Sequence, residues 1–409
     1  MSSTMSARPL PVPREDVCPF GPAPEVAELR AQTPVARVTC PTGLEAWLVT
    51  RYADVREVLG DPRRFSSRSG AAGHILANMP PDSPVEQGDF FKMDGPEHVR
   101  FRRVFAPAIT TVRRIEEFRP MVRRTADELL DGLAGETGPI DLHERFSKPL
   151  TSSVIAELLG VPYADRAMFQ RVAETLFSGE TDVDELNAVR FPLYDYVADL
   201  ARARRSEPGE DVLSVLVTRG REHQQPFNDL ELTKMAVGLL VAGYDTTASS
   251  ITYGVLALLA NQAQFDRLAA DPALAAGAAE ELLRLLSVGA GLLRVATEDT
   301  EIAGQPIAAG EYVVVAVQAA NHDPAQFPEP ETLDIERRTT SHLGFGHGPH
   351  QCVGQQIARL ELTTALATLP QRVPTLRLAV PQEEIRFKAD TTVYGPTALP
   401  VTWDEIRPA

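Results

Sequence analysis

The run Gly344-Phe345-Gly346-His347-Gly348-Pro349-His350-Gln351-Cys352-Val353-Gly354 constrains this chain more than any other feature. Its glycines and proline exclude a helix interior. A helical pattern begins directly after Gly354, so Cys352 sits at a helix N-terminus, at the end of a glycine-rich loop. Unpaired backbone N–H groups and the helix dipole there are expected to lower the thiol's pKa and favour thiolate. A soft thiolate suits iron or zinc. The glycines let the loop backbone pass close to a flat cofactor. Two other readings stay open on these residues alone. One is a buried cysteine at a helix start. The other is a zinc site built from His342, His347, His350 and Cys352, although structural zinc sites usually use paired C-x-x-C cysteines and none exists here.

A loop that presents a thiol needs a large scaffold, and 409 residues suffice for one. Residues 1–30 are proline-rich and read as an extended lead-in with little helix, residues 1–15 being flexible. Segments 35–40 and 45–50 read as a β-hairpin around Pro41-Thr42-Gly43, and Tyr52–Leu59 as a short amphipathic helix. Ser66–Gln87 reads as a long loop. From Glu97 to about Val288 the spacing is helical. Asn228-Asp229 can cap one long helix that runs to about Ala260 and is apolar nearly all round, hence central. Strands are predicted at Glu301–Ile302 and Glu311–Val317, about a turn at Ala303-Gly304, and a last helix from Gln355 to about Thr368. The fold class is therefore mainly α with a smaller β-rich region, in a single domain spanning 1–409.

Composition excludes several functions. The net charge of −16 makes general nucleic-acid binding a poor fit. Three distant cysteines, Cys18, Cys40 and Cys352, make no disulfide framework and suit a reducing compartment. Met1–Pro13 lacks the basic start and apolar run of a signal peptide, and the longest apolar run, Met235–Tyr244, is too short to span a bilayer. A soluble, cytoplasmic protein without membrane contact is expected.

The cysteine loop resembles the haem-binding loop of the cytochrome P-450 superfamily, with Phe345, Gly348, His350, Cys352 and Gly354 filling every fixed position. The resemblance implies heme b (iron protoporphyrin IX), held by Cys352 as axial iron ligand. Phe345 would pack near the sulfur, with Gly346 beside it, and His350 would donate to a haem propionate. Three distant stretches agree. Ala242-Gly243-Tyr244-Asp245-Thr246-Thr247 places polar groups in the middle of the apolar helix, where they are expensive unless paired or functional. Thr246 can bond back to the Ala242 carbonyl and bend or open the helix. The stretch is similar to the superfamily's oxygen-activation motif, which implies that Asp245 and Thr246 relay protons to bound dioxygen. Glu281 and Arg284 match a structural Glu-x-x-Arg pair, with Arg337 as third member and Arg338 as competitor. His98 and Arg102 look like a propionate-holding pair, and Arg294 like a further propionate ligand. One departure is His322, where relatives commonly carry arginine.

The implied architecture is the cytochrome P-450 fold, with the long central helix over the haem and the cysteine loop beneath it. The implied reaction inserts one atom of dioxygen into a substrate C–H bond and releases the other as water. A ferredoxin and ferredoxin reductase would supply electrons, and Arg100, Arg102, Arg103, Arg113 and Arg114 would dock the ferredoxin. A monomer is expected. Val241, Ala242, Val288, Gly289, Ala290 and Leu292 are expected to line the substrate pocket, with Ser66–Phe91 and the 168–196 region. The small Gly289-Ala290-Gly291 stretch favours a bulky substrate. Asp82, Glu86, Asp89, Glu180, Asp182, Asp184 and Glu185 would favour a cationic group such as a macrolide amino sugar, unless they are simply solvated. Soluble bacterial relatives of secondary metabolism look closest, which suggests hydroxylation or epoxidation of a macrolide or polyketide in antibiotic biosynthesis. Terpenoid, steroid and xenobiotic substrates are the alternatives. A non-catalytic haem gas sensor would need no Asp245-Thr246 pair, and a peroxygenase would use peroxide directly.

Overall fold

The computed structural model describes residues 8–10, 19–40, 43–68, 88–136, 138–177, 183–222, 226–289, 291–338, 341–388, 391 and 393–409. Most of the expected lead-in 1–15, Cys18, the turn residues Pro41-Thr42 and most of the Ser66–Gln87 loop lie outside these, while Arg8–Pro9 of the lead-in forms a strand.

The central helix is Asp229–Leu259. Asn228 Oδ1 accepts the Glu231 N–H and Glu231 Oε2 accepts the Asn228 N–H, both at 2.9 Å, so two orphan donors of the first turn are satisfied reciprocally. Helices Lys148–Leu159, Arg166–Phe177 and Val183–Ser206 pack against it on one side, and Gln355–Arg372 on another. Tyr253, Leu256, Ala257 and Leu258 are fully buried, which explains why its apolar residues surround the whole cylinder. The expected opening of the helix at Thr246 does not occur. Thr246 Oγ1 does donate to the Ala242 carbonyl, at 2.6 Å, but the helix is continuous because packed helices surround it.

The β-rich part is a six-stranded mixed sheet, ordered Arg8–Pro9, Val35–Thr39, Glu45–Val49, Tyr312–Val315, Leu292–Ala296 and Phe65–Ser66. The 35–49 hairpin pairs antiparallel as predicted. Several boundaries are corrected. The N-terminal third contains helix Pro24–Gln32, opened by proline at its first position. Strand Tyr312–Val315 stops before Val317, which starts the short helix Val317–Asn321. Thr300–Ile302 and Gln305–Ile307 form their own hairpin, with Ala303 and Gly304 both at positive φ. Gln355–Arg372 runs past Thr368 and through Pro370, because Arg372 pairs with Asp127 and Asp131 of helix Val112–Asp131.

Candidate active site

The cysteine loop is held by its own backbone. Gly346 N–H donates to Leu343 O at 2.7 Å, Gln351 N–H to Gly348 O at 3.0 Å, and Cys352 N–H to Phe345 O at 2.9 Å. Gly348 has φ +72°, and a Cβ there would lie 2.4 Å from the Leu59 carbonyl oxygen, so only glycine fits. Gly354 caps helix Gln355–Arg372, and the N–H groups of Gly354 and Gln355 donate to the Cys352 sulfur. That thiol lies deep among protein atoms yet keeps accessible surface, so it faces a space inside the fold rather than open solvent. The expectation of a lowered thiol pKa is corrected. Burial pushes the Cys352 thiol up and outweighs the helix-start N–H groups and the nearby Arg102 and Arg359 charges. A bound metal cation is what would deprotonate it outright.

Around the loop the structure gathers His98, Arg102, Arg294 and His350. The rings of His98 and His350 stack at 4.0 Å. His350 Nε2 lies 3.1 Å from Asp94 Oδ1, and Asp94 also accepts the Ser67 N–H and the Ser66 hydroxyl. Burial pushes the Asp94 carboxyl up, but these hydrogen bonds bring it below its ordinary range. Burial, helped by the His350 and Arg102 charges, lowers His98 to about 4 and so leaves it neutral. Arg102 donates to the Gln351 carbonyl at 2.5 Å. Arg294 is buried and, among the described residues, donates to the adjacent Leu293 carbonyl, at 2.7 Å. Neither arginine forms a salt bridge among the described residues. Arg102 is half-buried and Arg294 is buried with the Asp94 charge nearby; guanidiniums held this way outside a salt bridge are costly and suit a ligand that carries anions. With a thiol facing the same interior, this donor set fits haem, whose two propionates would satisfy the cations. The zinc alternative fails on the same geometry. His342 is bonded to Glu280 and Gly344, His347 lies against Arg56, His350 faces Asp94, and no group of three metal-ligating side chains is found among the described residues.

On the central helix, Tyr244, Asp245, Thr247 and Ala248 are buried, whereas Ala242, Gly243 and Thr246 keep accessible surface. Gly243 lies against Ile155 of helix Lys148–Leu159, so the accessible face is that of Ala242 and Thr246. Asp245 is turned elsewhere, with Lys388 Nζ at 3.1 and 3.3 Å from its two oxygens. Lys388 also donates to Ser249 Oγ at 3.1 Å. Of the expected pocket residues, Leu292 is exposed and lies against Gly346 of the cysteine loop. Gly289 bridges to Val393, and Val288 is half-buried. Val241 is packed into the core cluster instead of the open face, and Ala290 lies outside the described residues.

A family model described as Cytochrome P-450 matches residues 197–385. Cytochrome P-450-SU2 of Streptomyces griseolus is 44% identical over 403 residues, 96% of each chain. The mycinamicin IV hydroxylase/epoxidase of Micromonospora griseorubida is 41% identical, over 97% of this chain and 100% of its own. The crystal structure of CYP105P1 in complex with filipin I matches with a TM-score of 0.90 at 42% identity, covering 98% of this chain and 99% of that one. This chain belongs to the cytochrome P-450 family. It is accordingly a monooxygenase that binds heme b.

The frame behind this P-450's cysteine loop is a buried charge network. Arg284 is fully buried and bidentate to Glu281 at 2.8 and 2.9 Å, and it donates to the Asn321 and Pro330 carbonyls. Arg337 Nε reaches Glu281 Oε1 at 3.0 Å, while Arg338 is exposed. Asn321 accepts the Leu343 N–H at 2.7 Å and so ties the network to the loop. His322, at the departure from the family pattern, is buried and meets the Gln318 carbonyl at 2.9 Å.

The basic docking set is reduced. Arg100 is paired with Glu231, and Arg113 and Arg114 with Glu117. Arg102 is turned inward. Arg103 alone of the five is exposed and outside any salt bridge among the described residues. The acidic cluster fares similarly. Asp82, Glu86, Glu180 and Asp182 lie outside the described residues. Asp184 and Glu185 are exposed in the first turn of Val183–Ser206, where the helix dipole favours them. Nothing in the sequence singles out Asp94, Lys388 or Glu280, since their partners are far away in the chain. Among the described residues, no helix is long and apolar enough to cross a membrane.

Proposed function

We propose that this P-450 hydroxylates or epoxidises a bulky apolar natural product, a macrolide or polyketide intermediate of antibiotic biosynthesis. It would act as a cytoplasmic monomer and take electrons from a ferredoxin and its reductase. The observation that carries the substrate class is the 41% identity, over the full length of that relative, to a hydroxylase/epoxidase named for mycinamicin IV. The small side chains of Ala242 and Thr246, which keep accessible surface, support a bulky ligand.

Heme b supplies, when bound, an iron at which dioxygen is bound and cleaved. In this reading Cys352 Sγ would hold the iron, oriented by the Gly354 and Gln355 N–H groups. His98, Arg102, Arg294 and His350 would hold the propionates, and Phe345, Gly346 and Gly354 would keep the loop close to the sulfur. Thr246 Oγ1 spends its proton on the Ala242 carbonyl, which leaves its lone pairs free to hold a proton-bearing water on the open face. Asp245 lies on the other side of the same turn. Its partner Lys388 keeps some solvent access, so protons reach Asp245 from outside and Thr246 from within. Glu281, Arg284 and Arg337 brace the loop.

The test is a panel of macrolactones and terpenoids, scored by displacement of iron-bound water and then by turnover with ferredoxin, reductase and dioxygen. Macrolactones should displace the water and be oxidised. Displacement by terpenoids alone would sink the substrate assignment.

A further inference from the structure

Glu280 sits one residue before the braced Glu281 and serves different partners. Its carboxylate receives Arg359 Nε at 2.6 Å, Arg359 Nη2 at 3.1 Å and His342 Nε2 at 3.1 Å. Burial pushes this carboxyl up, but the hydrogen bonds from His342 and Arg359 hold it at about 2. His342 is buried, and its Nδ1 accepts the Gly344 N–H at 3.1 Å. The ring proton is therefore on Nε2 and points at Glu280. A Cβ at Gly344 would lie 2.7 Å from the Leu283 carbonyl oxygen and 3.0 Å from His342 Nδ1, so the loop entry is pressed against both.

Arg359 belongs to the cysteine helix. Its guanidinium carbon lies 4.5 Å from the centroid of Phe345, whose carbonyl accepts the Cys352 N–H. Its positive charge acts on the Cys352 sulfur. Gln355 Oε1 also accepts from Arg359, at 2.8 Å. A single carboxylate from helix Ala275–Leu286 thus holds the loop histidine and the cation beside the sulfur. Nothing in the oxygen-activation or propionate-binding roles uses this cluster.

We propose that Glu280 is a positioning residue for the thiolate: it aims Arg359 at the Phe345 side of Cys352, offsets its charge, and so sets the ferric–ferrous balance of bound iron. The proposal rests on Cys352 being the iron ligand. A cation near the thiolate stabilises its negative charge and favours the extra electron of the ferrous state, and an anion does the reverse.

The experiment is redox titration of the holoenzyme, comparing wild type with Glu280→Gln and Arg359→Gln. The amide introduced by Glu280→Gln keeps an acceptor for Arg359 but removes the negative charge. Glu280→Gln should move the equilibrium toward ferrous iron by at least about threefold, and Arg359→Gln toward ferric iron by a similar factor. Both should keep the thiolate-type spectrum of the reduced carbon monoxide complex. Shifts of both variants in one direction, or no shift in either, overturn the proposal, since lost packing alone has no reason to reverse sign between them. Should either variant fail to retain haem, Gln355→Glu places a new carboxylate on Arg359 without touching Glu280. It should shift the balance toward ferric iron, and an unchanged balance overturns the proposal. A wild-type spectrum without thiolate character would instead defeat the ligand assignment, whatever the order of the potentials.

Discussion

Arg294 is buried at 7% exposure, forms no salt bridge among the described residues, and is lowered by burial to about 10. It therefore stays charged at neutral pH, with the Asp94 charge offsetting only part of the cost of burial. Arg294→Leu is expected to stabilise the haem-free chain by about 1–3 kcal/mol, read from denaturant unfolding. The same variant should lose haem about tenfold faster to an acceptor protein, because a charged hydrogen bond is gone. A haem-free chain made weaker, with haem retention unchanged, would mean that Arg294 only packs. Thr246→Ala tests the other face. It should retain haem but yield roughly tenfold less product per electron consumed, since proton delivery contributes at least that much. Unchanged coupling counts against the relay. The loop residues Phe345 to Gly354 are legible in sequence because they are contiguous and serve one cofactor. Asp94 and Lys388 are not, because Asp94 meets His350 across 256 residues and Lys388 meets Asp245 across 143.

Among elements, the central helix is anchored by a buried histidine that has no part in the proposed chemistry. His143 lies in the π-helical turn His143–Ser147, and its Nδ1 is 2.8 Å from Thr252 Oγ1, which donates to the Ala248 carbonyl. Burial, with the Lys388 and Lys148 charges, pushes it down to about 3, below its ordinary 6.5. The stability it contributes is fully present above about pH 6.5. As pH falls toward 3 the unfolded chain takes up a proton that the folded chain refuses, and up to about 4 kcal/mol is lost across that window. His143→Gln should flatten the pH dependence of unfolding between those limits. An unaltered slope would show that other groups govern it. Long, periodic elements such as Asp229–Leu259 are legible, cap included. Strand Leu292–Ala296 is not, because Leu-Leu-Arg-Val-Ala hardly alternates and its partner Tyr312–Val315 supplies the pairing. The parallel pairing of Glu45–Val49 with Tyr312–Val315 has no local signal at all.

For the whole molecule, the net charge of −16 opposes the acidic ferredoxin proposed as electron donor, so its docking would rely on a local cation. Arg103 is the exposed member of the predicted set that lies outside any salt bridge among the described residues. Arg103→Glu should slow reduction by ferredoxin several-fold, more so at low salt, while reduction by dithionite is unchanged. Equal rates at every ionic strength would place the docking surface elsewhere. The reading of the site joins two features that meet only in three dimensions: a deep thiol at a helix start and two arginines, Arg102 and Arg294, outside any salt bridge among the described residues. The measurement that tests their joint meaning most directly is the spectrum of the reduced carbon monoxide complex, for wild type and Cys352→Ala. Wild type should show the thiolate type and Cys352→Ala should lose it; a thiolate spectrum that survives the substitution would contradict Cys352 as the iron ligand.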